Sequence, residues 1–390
     1  MGRAAVLLGA MLGGAAPLAG QEPWAASYFP YFLGGPTDGL MLVLRYQVVK
    51  NAPYFLSRTD EQDVLNPLSF AGAFSAEAGA GTRGSRFVSL QFRGPGLLAG
   101  WRVHGTLEGR RDGRFAAYEL GPRDEDASQP PPTGPADFNR VRRDRYLVRG
   151  ELTRNVAGPL RVAVAASVER TEFHPIGTPS FLAESIEGTD ATLRGTVVVD
   201  TRNSEFVPAN GLLAEAGLFA GSNGSDPDLP GGDARKAYTG GYLHLRGYLS
   251  PREGTVLAAR FGLRALSSGA PYSARFNMPG WERDLTVLGG PDSHRGLIKG
   301  RFGGRGILLG GLEVRHDLLN AGDFGALTLV AFVDGGRVFE PGGVTLTTRA
   351  WEMGYGGGVS LRILRSAILT LSFAGGDDGF TFGTGIGWAF

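Results

Sequence analysis

The chain has 390 residues, no cysteine and a formal net charge of +1. Near-neutrality removes the electrostatic case for a nucleic-acid partner. The missing cysteine excludes disulfides, Cys-liganded metals, a thiol nucleophile and a lipid anchor on an N-terminal Cys. Glycine occurs 63 times, roughly twice its usual share, which speaks against a helical protein, and no Gly-X-Y period points to collagen.

The first residues read as an export signal. Arg3 gives a positive start, and Ala4–Ala16 is small and apolar, with Val6, Leu7, Leu8, Met11 and Leu12. Ala19 and Gly20 then precede the polar Gln21 and Glu22. That order of charge, apolar core and small residues is a secretory signal peptide's, so residues 1–20 are expected to be removed, leaving one domain over 21–390. Beyond it no run approaches the ~20 apolar residues of a membrane-spanning helix.

The remainder of the chain alternates with period two in segments of about ten residues between turn residues. The expected strands begin with Ser27–Leu33, Gly39–Val49, Phe70–Gly81, Phe87–Arg93, Gly100–Arg110, Tyr146–Thr153, Pro159–Glu172 and Ala191–Thr201. They continue with Leu212–Gly221, Ala237–Leu249, Thr255–Leu266, Gly304–Leu318, Gly325–Val338, Ala350–Leu364, Ala367–Gly375 and Phe380–Phe390. In Arg305–Asp317, one face carries Arg305, Glu313, Arg315 and Asp317, and the other Leu308, Leu312 and Val314. Leu327, Leu329, Ala331 and Val333 oppose Thr328, Val330, Phe332 and Asp334 in the next strand. A soluble sandwich would turn the charges outward, whereas a membrane barrel would line its lumen with them. Export, glycine content and an even count of about sixteen strands favour an all-β, antiparallel transmembrane barrel.

The connections agree with that reading. From the fifth strand on, long ones (Arg111–Arg145, Phe173–Asp190, Ser222–Lys236, Ser267–Gly303) alternate with short ones such as Asn155–Gly158. Outer-membrane barrels place long loops outside the cell and short turns in the periplasm. The linker Lys50–Pro67 is long on the short side and has no physical account; the Pro- and Asp-rich Arg123–Phe138 reads as an outer loop. In the last strand Phe380, Phe382, Thr384, Ile386, Trp388 and Phe390 share a face. An alternating strand with a terminal aromatic resembles the signal that exported barrels show their assembly machinery, and Trp388 and Phe390 are expected in the interfacial aromatic girdle.

Between the eleventh and twelfth strands, Leu288–Phe302 resembles the long sixth loop of the BamA/TamA family, or bacterial surface antigen family, of outer-membrane barrels. The family signature is Val-Arg-Gly-(Phe/Tyr), preceded by a glycine pair and followed by Gly-Arg-Phe. Gly289-Gly290, Arg295-Gly296 and Gly300-Arg301-Phe302 match it, while His294 replaces the usual Val and Leu297 the usual aromatic. Gly310–Arg315 resembles the family's twelfth strand, and Phe332–Gly336 its thirteenth. Asp200–Asn203 with Pro208 and Gly211 resembles its turn between strands eight and nine, and Phe29–Tyr31 with Pro36–Leu40 its opening hairpin. The resemblance implies that the sixth loop folds into the lumen and that Arg295 meets Glu313 and Asp334 there. A guanidinium offers fixed donors that match carboxylates. BamA-type proteins also carry soluble POTRA domains ahead of the barrel; the few residues before the first strand fall short of the ~50 a domain needs, so a POTRA-less member is expected.

No Gly-x-Ser-x-Gly elbow, Walker loop or His-Glu-x-x-His occurs. His104, His174, His244, His294 and His316 are scattered, and Asp226 and Asp228 lack calcium-loop spacing, so no metal or cofactor is expected. Arg149, Arg194, Arg246, Arg260 and Arg264 either give the lumen a positive field or, on the plainer reading, are balanced by Glu151, Asp200 and Glu313. The resemblance implies a non-enzymatic part in outer-membrane biogenesis, protein assembly or translocation. Its partners would be membrane lipid, the barrel-assembly machinery, and a separate POTRA-bearing or periplasmic chain. A passive pore with a plugging loop is the alternative.

Overall fold

The computed structural model describes residues 24–50, 70–118, 120–123, 139–176, 182, 185–224, 236–281, 283–322, 325–340, 343–345, 347–363 and 367–390. The expected signal 1–20, linker residues 51–67, loop residues 124–138 and the Asp226/Asp228 loop lie outside them. Alternating side chains build sixteen antiparallel strands, each paired with its sequence neighbours. They are β1 (Ala25–Gly35), β2 (Gly39–Lys50), β3 (Gly72–Gly81), β4 (Arg86–Leu98), β5 (Trp101–Ala116), β6 (Arg140–Ala157), β7 (Leu160–Pro175) and β8 (Ile186–Asp200). The second half comprises β9 (Gly211–Asn223), β10 (Lys236–Arg252), β11 (Thr255–Leu266), β12 (Gly306–Asn320), β13 (Gly325–Phe339), β14 (Glu352–Ile363), β15 (Ala367–Gly376) and β16 (Gly379–Ile386). The segment 267–305 adds a two-residue ladder, Asn277–Met278 with Leu285–Thr286, and one 3₁₀ turn, Ser273–Phe276.

The barrel is polar within and apolar without. Leu218 is 76 % exposed and Leu312 65 %, whereas their strand neighbours Glu215 and Glu313 are buried. Leu42, Leu44, Val148, Val164, Leu193, Leu329 and Tyr355 share the exposed face. Water would penalise such a wall and hydrocarbon does not. Buried charges are tolerable when paired or hydrogen-bonded. Arg264, expected to be balanced by a carboxylate, instead donates to the carbonyls of Ala274, Arg275, Asn277 and Gly304, because segment 267–305 lies over it. Arg149 and Arg194 meet Glu151, Arg161 and Arg202 meet Asp200, and Arg246 meets Glu215.

Several strand ends differ from those expected: β4 runs on to Leu98, β8 starts at Ile186 inside the expected loop Phe173–Asp190, and two further differences have a visible cause. The sheet runs deep into the expected loop Arg111–Arg145, since β5 reaches Ala116 and β6 starts at Arg140. Apolar alternation ends there, but cross-strand ion pairs continue the ladder: Arg111 with Asp144 at 2.6 Å and Arg143 with Asp112 at 2.6 Å. The last strand is shorter than expected. It stops at Ile386, and Gly387 has φ +87°, a left-handed turn that a side chain would oppose. Residues 387–390 then leave the sheet. Phe390 is buried against Tyr248 and Ala258, and Trp388 packs on Val330, Phe332 and Ala374, all on the polar-lined side. Neither stands in an outer aromatic girdle; burial against arginines and aromatics wins over the interface.

Between β1 and β16 the sheet is nearly closed. Among the described residues these strands share no ladder. The Thr384 hydroxyl accepts from the Gly34 N–H and donates to the Gly34 carbonyl at 3.3 Å.

Candidate functional site: an arginine lock between loop and wall

Arg295 lies on segment 267–305, which packs against the polar face of the sheet. Its Nε donates to Asp334 Oδ2 at 2.7 Å, a terminal nitrogen to Oδ1 at 3.0 Å, and its backbone N–H to Oδ2 at 3.0 Å. The other terminal nitrogen donates to Glu313. One guanidinium thus joins the loop to β12 and β13, and its carbon sits 3.4 Å from the centre of the Phe332 ring. Burial lowers the Arg295 pKa and the two carboxylates raise it further, so the net shift is upward.

Two more arginines complete the set. Arg260 on β11 reaches Asp334 at 3.1 Å and donates to the carbonyls of Ser293 and Asp292. Arg315 on β12 holds Glu313 at 2.7 Å and donates to the Phe390 carbonyl at 2.6 Å. Its guanidinium lies 4.2 Å from the Trp388 ring, and that of Arg260 4.6 Å from the Phe390 ring. The order Arg260–Asp334–Arg295–Glu313–Arg315 alternates in sign, so each carboxylate faces two guanidiniums.

Backbone fit holds the loop at its turn. A Cβ on Gly296 would stand 2.7 Å from the Gly354 Cα, closer than real Cβ contacts, so loop and β14 meet backbone to backbone. Gly289 has φ +118°, which favours glycine. His294, in place of the family's Val, donates from Nε2 to the Glu352 carbonyl at 3.1 Å. Burial holds its pKa below the ordinary range, so the ring stays neutral. Leu297, in place of the aromatic, enters an apolar cluster with Val287, Leu288, Phe302, Ile307 and Val338. Arg301 pairs with Asp378 at 3.1 Å and stacks 3.7 Å from the Tyr118 ring. Gly300 has its α-carbon against the Phe115 ring, where a side chain would clash, and Gly290 packs on Lys299.

The same loop is tied to the opposite run of strands, which sequence reasoning missed. Asp284 receives Arg149 and Arg194, each at 2.9 Å. Burial raises its pKa, but those guanidiniums and the Gly280 N–H lower it more, and it ends well below the usual carboxylate range. Trp281 donates from its ring to Thr153 at 3.1 Å and from its backbone to Glu215, with Arg102 and Arg161 over its indole. Lys299 meets Asp112 at 3.0 Å. An acidic residue and an aromatic inside a long loop are a weak signal, because nothing in the sequence says which wall they face.

Of the other expected site residues, Phe382 is exposed on the apolar face and Ile386 is half-buried near the seam. His174 converges with Asp144 and Glu172. Arg111 and Arg142 already occupy Asp144 and Arg170 occupies Glu172, so the chain's own cations meet that charge.

The Omp85 superfamily domain matches residues 71–388. No curated protein sequence matches the chain. Among solved structures, BamA from Haemophilus ducreyi lacking POTRA domains 1-3 is similar at 16% identity and TM-score 0.55, over 94% of this chain and 71% of that one. CdiB from Escherichia coli is similar at 13% identity and TM-score 0.56, over 95% of this chain and 64% of that one. CdiB from Acinetobacter baumannii is similar at 11% identity and TM-score 0.51, over 95% and 60%. The chain therefore spans less than two thirds of either CdiB. At these identities the neighbours speak for the fold, while the domain match covers most of the chain. With its apolar outer wall and sixteen-stranded sheet, the chain belongs to the Omp85 superfamily of outer-membrane barrels.

Proposed function

We propose that this barrel is a non-enzymatic component of outer-membrane protein assembly or translocation, in which segment 267–305 occupies the lumen as a lock released during work. The Arg295 fork carries this reading: it joins the loop to β12 and β13 through two carboxylates at once. A fork of that kind holds firmly while intact, and breaking it costs up to about 3–5 kcal/mol, less what Arg260 and Arg315 still supply to Asp334 and Glu313. The weakly joined seam between β1 and β16 supplies a wall that can part without breaking a ladder. Its partners are then membrane lipid, the assembly machinery that inserts it, and a periplasmic chain that delivers clients.

The test is Arg295→Ala beside Asp292→Ala in lipid bilayers, with heat-modifiability on cold gels as a fold check. Ser293 is unsuitable as a control because its hydroxyl bonds both the N–H and the carbonyl of Gly289. Among the described residues the Asp292 side chain makes only an exposed pair with Arg283, worth about 0–1 kcal/mol, and its carbonyl contact to Arg260 survives the substitution. Wild type and Asp292→Ala should show rare openings and a compact heat-shifted band; Arg295→Ala should open often and lose that band at lower temperature. A steady open current from wild type would instead favour a passive pore. Vesicles bearing the protein that neither assist barrel insertion nor pass a polypeptide would remove the assembly role.

A further inference from the structure

On the outer wall, β2 to β6 form a groove of about 530 Å³. Its sides are Leu42 and Leu44 of β2 and Tyr146 of β6, and its floor is the cross-strand row Ala78, Val88 and Gly109, with the exposed Val88 between the two small residues. These apolar residues face the membrane, and Ala78 and Gly109 leave room on either side of Val88 for a chain between the taller sides. At the end nearest the long connections the groove meets Arg86 and Arg111. They are direct cross-strand partners in the β4–β5 register. Like charges placed opposite one another destabilise a sheet unless something offsets them. Arg111 is held by Asp144, with nitrogen–oxygen distances of 2.6 and 3.1 Å. Arg86 is exposed and has no ion pair or hydrogen bond among the described residues. The next outward arginine, Arg142, shares the same Asp144. Arg111 and Arg142 thus share Asp144, which lies beside Glu172, while Arg86 at the mouth of the apolar groove has no carboxylate of its own among the described residues.

We propose that this groove binds a phosphate-bearing lipid of the leaflet on the long-connection side. An acyl chain lies over Ala78 and Gly109 between Leu44 and Tyr146, and the phosphate sits between Arg86 and Arg111. A guanidinium donates two parallel hydrogen bonds to phosphate oxygens, and an anion there offsets the Arg86–Arg111 repulsion. Charge at the headgroup level beside apolar surface is the arrangement by which membrane proteins retain anionic lipids. The proposal is independent of what the lumen does.

The experiment is native mass spectrometry of the whole protein after exchange from detergent containing lipid A, with lipid A stripped of its phosphates as the matched probe. Wild type should retain the phosphorylated lipid and not the stripped one. Arg86→Gln should bind it about tenfold more weakly, the loss of a charge-assisted hydrogen bond. Gly109→Val fills the floor and should also weaken binding; a Cβ there meets Tyr146 at an ordinary 3.6 Å. Heat-modifiability confirms each barrel. Equal retention of the stripped lipid, or undiminished binding by Arg86→Gln, would overturn the phosphate contact. Inorganic phosphate bound at Arg86 with no lipid retained, or undiminished lipid binding by Gly109→Val, would overturn the lipid site.

Discussion

Gly296 shows how little room the lock leaves. Gly296→Ala places a methyl 2.7 Å from the Gly354 Cα, so either the loop or β14 must move. The variant should fold as a barrel yet lose much of the Arg295 effect, because the fork reaches Asp334 only from that backbone position. Differential scanning of Gly296→Ala, Arg295→Ala and the double variant checks this: the double should fall little below the worse single. Full additivity would mean that the two residues act apart. At this scale the sequence was legible where a motif existed. Arg295, Glu313 and Asp334 follow from the Arg-Gly resemblance and from strand parity. Arg260 and Arg315 stand on the expected face, but Arg260 pairs with Asp334 rather than with one of the carboxylates expected to balance it, because a partner is fixed by register, and register depends on turns and bulges invisible in periodicity. Trp388 and Phe390 misled because alternation continues past Gly387 while the backbone does not.

The strands themselves were read in number and order from alternation, and their ends were not. Where β5 and β6 project past the apolar band, both faces carry charge. Ion pairs such as Arg111–Asp144 and Arg143–Asp112 replace the apolar signal on which a sequence reading relies. The seam could not be seen at all, since closure is a property of the first and last strands together. It makes a measurable difference between elements. Amides of β1 that face β16 lack ladder partners among the described residues, so they should exchange with deuterium far faster than those within β6 or β7. Uniform protection across β1 and β6 in bilayers would show a fully laddered, closed cylinder.

For the whole molecule, the loop is a tie between two walls. Arg295 anchors it to β12 and β13, and Asp284 to β6 and β8 through Arg149 and Arg194. Asp284 has a depressed pKa in the folded state. Its stabilisation is therefore complete above the unfolded value of about 4 and is lost as pH falls below that towards the folded value. The thermal midpoint of wild type should drop over that acid range, and Asp284→Asn should start lower at neutral pH and fall less. Parallel curves would show that Asp284 is not linked to docking.

The interior arginines have a consequence for what can enter. Only three of the 39 basic residues are lysines, and the cations of the lock are all arginines, whose charge pH does not remove. Each guanidinium of the lock already holds a carboxylate. Such a lumen behaves as an ion exchanger delivered with its sites filled. Small salt ions compete poorly for buried, bidentate sites. A polypeptide carrying closely spaced carboxylates can present the same forked geometry as Asp334 and Glu313, and trades one set of contacts for another. On the proposed translocation role, entry of a chain would be an exchange of ion pairs favouring acidic segments rather than the opening of an empty hole.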